Sequence, residues 1–96
     1  MAIIAVFEDP TLTKESYEES IRQLAGKEKA ESRSDWPVDG LVAHIAGDTG
    51  NGFRVVDVWE SEEAFNRFVE ALTPVMQAIG IEGAPQVYAS HTIVTS

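Results

Sequence analysis

The stretch Val55-Val56-Asp57-Val58-Trp59-Glu60-Ser61-Glu62-Glu63-Ala64-Phe65 constrains this chain more than any other. Its first half is an apolar run of strand length, and its second half opens an amphipathic helix. Ser61 stands at the N-cap position, with Glu62 and Glu63 in the first turn, where the helix dipole favours negative charge. One residue breaks the apolar run. Asp57 sits in the middle of the strand, and a buried carboxylate costs several kcal/mol unless it is paired or kept neutral. The strand therefore needs a partner for Asp57, and His44 is the candidate.

The same reasoning extends along the chain. Ala2 to Phe7 is a second apolar run, ended by Asp9-Pro10. Thr11 or Thr13 caps the helix that follows, whose apolar face carries Tyr17, Ile21, Leu24 and Ala25, and Gly26 stops it. Lys27 to Asp39 reads as a polar loop, with Trp36 held extended by Pro37. Leu41 to Ala46 and Phe53 to Glu60 read as strands joined by a glycine-rich turn, in which Asn51-Gly52 is the strongest hairpin signal. Ala64, Phe65, Phe68, Val69, Leu72, Met76 and Ile79 make the stripe of a long helix closed by Gly80. Pro74 either kinks that helix or starts another. Gln86 to Val94 is the last predicted strand, and it carries His91.

The order is βαββαβ, an α+β class: a ferredoxin-like, four-stranded antiparallel sheet with both helices on one face. Residues 1–96 make one domain. Strands one and three are apolar at nearly every position, so both sheet faces are expected to be buried. The two helices cover one face, and a second copy of the sheet would cover the other. A homodimer is expected.

Charge and composition limit the partners. Sixteen acidic residues against seven basic ones give a net charge of -9. Nucleic acid and anionic membrane surfaces are disfavoured partners, because both reward clustered Lys and Arg. There is no cysteine, and the two histidines have no metal-ligand spacing. The apolar N-terminal run is too short for a membrane span and lacks a basic lead, so a cytoplasmic location is expected.

Strand geometry supplies the candidate chemistry. A hairpin loop with an even number of residues puts His44 and Asp57 on one face, opposite or diagonal to each other. An odd loop or a bulge separates them. Paired, Asp57 fixes the imidazole tautomer and His44 becomes a candidate general base, with Asp57 its orienting partner. The alternative is a polar pair that only pins register. Trp36, Trp59 and Phe65 are candidates to line a pocket for a flat aromatic ligand. Trp59 and the Phe65 stripe read as core before pocket wall. Tyr17 and Tyr88 are candidates to donate a hydrogen bond to a ligand oxygen, although Tyr17 is more simply part of its helix's apolar face.

Gly40-Leu-Val-Ala-His44, the glycine-rich hairpin, and Val56-Asp57-Val58-Trp59-Glu60-Ser61 leading into Glu63-Ala-Phe65-Asn-Arg-Phe68 together resemble the dimeric α/β-barrel superfamily. The chain looks closest to the small proteins grouped with antibiotic biosynthesis monooxygenases. That resemblance implies a homodimer closed into a barrel, with a pocket in each protomer between sheet and helices. It also implies a cofactor-independent monooxygenase-like or cyclase-like enzyme of secondary metabolism, acting on an aromatic or polyketide substrate. No flavin, nicotinamide or metal motif is visible, and the haem-degrading relatives carry a helical histidine that the predicted helices here lack. A non-catalytic dimeric ligand-binding or accessory protein of the same fold is the rival reading.

Overall fold

A computed structural model of the chain describes residues 2–50 and 52–94. The elements run β1 (Ile3–Glu8), α1 (Lys14–Ala25), β2 (Leu41–Asp48), β3 (Phe53–Trp59), α2 (Glu62–Ile79) and β4 (Gln86–Ala89), with a 3₁₀ turn at Arg33–Asp35. The strands form one sheet in the order β2-β3-β1-β4, and every neighbouring pair is antiparallel. This is the ferredoxin-like βαββαβ arrangement.

The helices begin and end where local chemistry directs. Thr13, not Thr11, caps α1: its hydroxyl accepts from the Ser16 amide at 3.1 Å, and the Ser16 hydroxyl accepts from the Thr13 amide at 2.8 Å. Gly26 ends the helix in the left-handed region. Ser61 caps α2 by accepting from the Ala64 amide at 3.1 Å. Pro74 does not start a new helix; it lies within α2, and Glu62–Ile79 is one helix. Pro74 lies on its exposed side, where water can reach the carbonyl left without a donor. Leu72 and Met76 hold the other side against the core.

The inner sheet face carries the core. Ile3 pairs with Trp59 and Ala5 with Asp57, and this face meets Phe65, Phe68 and Leu72 of α2. Gly40 fits α2 closely against the start of β2. Its φ is 110°, and a Cβ there would stand 2.5 Å from the Ala64 Cβ. The outer face is apolar as well: Ile4 pairs with Val58 and Val6 with Val56. Within one chain those residues are half-buried, and Ile45 and Tyr88 on the same face are 63% and 51% exposed.

The hairpin departs from strict alternation at one point. Asp48 faces Phe53 across an even, four-residue loop, and His44 faces Asp57. A bulge between Leu41 and Ala43 then lets Leu41 face Trp59. Leu41 and His44 thus both point inward, and Val42 loses the inward place that alternation assigns it. Asn51 lies outside the described residues; Gly50 and Gly52 both have positive φ. β4 stops at Ala89, short of the expected Val94. Its partner β1 runs out at Ile3, and the last contact is the Ser90 amide donating to Ala2 O at 3.0 Å. His91 is exposed just beyond the strand.

Candidate active site

Three side chains from three elements form a hydrogen-bonded line on the inner face. Asp57 of β3 is buried, its side chain 2% exposed. One of its carboxylate oxygens, Oδ1, lies 2.6 Å from His44 Nδ1 on β2. On the other side of the ring, His44 Nε2 lies 2.7 Å from the Tyr17 hydroxyl on α1. A carboxylate only accepts, so Nδ1 carries the proton. In the tautomer that carries its one proton there, Nε2 is bare and the Tyr17 O–H donates to it. The order of donation runs Tyr17 to His44 to Asp57.

Burial and charge act together on the phenol. Burial pushes Tyr17 up to about 12, and the Asp57 carboxylate adds to the rise. At neutral pH Tyr17 is a protonated donor. Phe53 packs on its ring at a centroid distance of 4.9 Å, and the Tyr17 ring lies nearly parallel to that of His44. Buried Ser20, one turn along α1, donates to the Tyr17 carbonyl at 2.6 Å. α1 can therefore present a polar residue to the core without leaving a hydroxyl unpaired.

Trp36 closes the line from the side, its ring centroid 4.5 Å from that of His44. The loop that carries it is built around Asp35. That carboxylate accepts from the Glu31 amide at 2.9 Å, the Ser32 amide at 3.1 Å and Lys27 Nζ at 2.9 Å. The Glu31 amide first, then Lys27 and the Ser32 amide, hold Asp35 down to about 2. A polar segment with little apolar content of its own is thereby fixed in one shape, with Trp36 directed inward.

The line forms part of the wall of a half-open cavity of about 60 Å³ between sheet and helices. Tyr17, His44, Asp57 and Trp36 meet there with apolar wall from Ile21, Leu24, Phe68 and Met76. Glu8, Asp9 and Glu82 are the charged residues at its edge. The Glu82 amide donates to the Thr11 hydroxyl at 2.7 Å, and Thr11 in turn bonds Asp9. Those bonds tie the loop before β4 to the loop after β1. Glu8 is engaged with Arg54 on the neighbouring strand, and Thr11 holds the Asp9 carboxyl below the usual carboxylate range. Among the described residues no group of three or more His, Asp or Glu side chains is placed to hold a metal ion. No helix among them is long and apolar enough to cross a membrane.

The predicted residues divide between this cavity and the core. His44, Asp57 and Trp36 come together at the cavity. Trp59 is fully buried, stacks on Phe68 at 4.8 Å and leaves its indole N–H without a hydrogen-bond partner among the described residues. Phe65 is buried in the same cluster and lines a separate surface hollow with Ile3 and Val87. Neither is part of the cavity wall. The bond from Tyr17 to His44 is the part of the line that the sequence does not predict. The available signal was the place of Tyr17 on the inward face of α1, four residues before Ile21, where a hydroxyl has to find a partner.

No protein-family model matches this sequence, and no curated protein matches it. A ferredoxin-like sheet hosts many unrelated activities. The features of this chain that bear on function are the cavity and the three bonded side chains.

Proposed function

We propose that this chain is a cofactor-independent acid–base enzyme, a homodimer of the dimeric α/β-barrel kind, acting on an aromatic or polyketide substrate. The observation that carries the proposal is the bonded line Asp57–His44–Tyr17 in the wall of an apolar cavity flanked by Trp36. His44 is the base and Asp57 fixes its tautomer. Trp36 supplies a flat surface for an aromatic ring. In the oxygenase form, loss of a proton leaves a carbanion electron-rich enough to reduce oxygen itself. In the cyclase form, the same base starts an intramolecular aldol step. The apolar outer sheet face, with Ile45 and Tyr88 exposed, supports the second copy.

One observation favours a non-catalytic ligand-binding role instead. Both ring nitrogens of His44 are already bonded within the chain. The two readings separate on turnover. Anthrone has an acidic C–H, and with oxygen it gives anthraquinone and water. The enzyme reading expects oxygen uptake faster than in buffer, falling by about 10²–10⁴ in His44→Gln, the range of a lost general base. Glutamine is chosen because its amide can still donate to buried Asp57, whereas alanine would leave that charge unpaired. No acceleration, with anthrone still quenching tryptophan fluorescence, would leave the binding reading.

A further inference from the structure

The proposed base cannot be approached directly, because both its nitrogens are occupied. Two oxygens of the line still have free lone pairs: Asp57 Oδ2, on a residue only 1% exposed, and the half-buried Tyr17 oxygen, which donates its proton to Nε2 and accepts from no group among the described residues. Tyr17 also lies in the cavity wall.

We infer that Tyr17 is the residue that meets the substrate, and that the substrate presents an uncharged, weakly acidic hydroxyl, a phenol or an enol. The inference rests on the acid–base reading above and names its contact atom and substrate class. The ligand O–H donates to the Tyr17 oxygen. When the proton moves, the ligand O–H bond breaks and a new O–H bond forms on Tyr17. In the same step the original Tyr17 O–H bond breaks and an N–H bond forms at His44 Nε2. The products are a phenolate or enolate and an imidazolium beside the Asp57 carboxylate, so net charge is conserved. No tyrosinate accumulates, as suits a phenol that burial disfavours as an anion. The charged groups at the cavity are Asp57, Glu8, Asp9 and Glu82. All are carboxylates, and although Arg54 offsets Glu8, the others leave the cavity acidic, so a ligand that enters as an anion is repelled while a neutral hydroxyl is not.

Three single-ring probes test this on the whole chain: 4-nitrophenol, its methyl ether 4-nitroanisole, and 4-nitrobenzoate. In wild type, 4-nitrophenol is expected to bind at least tenfold more tightly than either of the others. At a pH well below its own pKa, bound 4-nitrophenol is expected to show the phenolate absorbance band. Tyr17→Phe keeps the ring and removes the oxygen. It is expected to lower 4-nitrophenol affinity to that of the ether, to abolish the band and to leave ether binding unchanged. Ether or benzoate binding as tightly as the phenol would overturn the inference, as would a bound phenol that never ionises. Should Tyr17→Phe not fold, the wild-type comparison decides alone. If 4-nitrophenol ignores Tyr17→Phe while His44→Gln still stops anthrone oxidation, the base reading survives and the tyrosine relay does not. If no probe binds, both the relay and the aromatic-site reading fail.

Discussion

A single aspartate inside an apolar strand organises the site. Asp57 is buried, and the fold answers with a hydrogen bond from His44, whose remaining nitrogen is answered by Tyr17. The consequence for Tyr17 can be measured. Its ionisation near 12 lies above the ordinary tyrosine value of ~10 because the buried phenolate is disfavoured. The folded state therefore holds this proton more tightly than the unfolded state. Its contribution to stability is complete below the unfolded pKa of ~10 and is lost as pH rises through the folded value. Spectrophotometric titration should show a tyrosinate transition near 12 that is missing in Tyr17→Phe. It should move downward in Asp57→Asn, where the carboxylate's share of the shift is removed and that of burial remains. A Tyr17 transition that ignores Asp57→Asn would mean the charge is not felt across the imidazole.

At the scale of elements, the parts written in local chemistry were legible in the sequence. Ser61, Gly26 and Gly80 terminate the helices where capping rules put them, and the even loop between Asp48 and Phe53 brought His44 opposite Asp57. Features set by distant partners were less so. The length of β4 depends on where β1 ends, and the bulge at Val42 depends on fitting both Leu41 and His44 under the helices. Tyr17 needed knowledge of which strand its helix would cross. Trp59 and Phe65 have a composition suited to either pocket or core, and only packing places them in the core. The Trp36 loop yields a prediction of its own. Asp35 has its pKa lowered to about 2, against an unfolded value of ~3.9. Its bonds therefore stabilise the loop fully above ~3.9, and that contribution is lost as pH falls through 2. Tryptophan emission should change across that window in wild type as Trp36 leaves His44. In Asp35→Asn the change should be absent. An identical acid transition in both proteins would separate the loop from Asp35.

For the whole molecule, the ferredoxin-like sheet divides its duties between two faces. The inner face, under α1 and α2, holds the core and the cavity. The outer face holds Ile4, Val6, Val56 and Val58 in its middle, with exposed Ile45 and Tyr88 beside them. Joining two such faces would bury apolar surface that one small domain cannot cover alone. Light scattering at micromolar concentration should report a dimer, and Ile45→Arg should shift it to monomer by placing a charge on that face. A wild-type monomer would remove the barrel, although the cavity within each chain would stand.

The proposed chemistry depends on which nitrogen of His44 carries the proton, and this can be read directly. A long-range ¹H–¹⁵N correlation spectrum of the wild-type protein at neutral pH distinguishes the two tautomers of each histidine. The line from Tyr17 through His44 to Asp57 requires His44 to be protonated at Nδ1 and bare at Nε2. Asp57→Asn should weaken that preference. A His44 protonated at Nε2, or one exchanging freely between the two tautomers, would contradict the arrangement and the chemistry built on it.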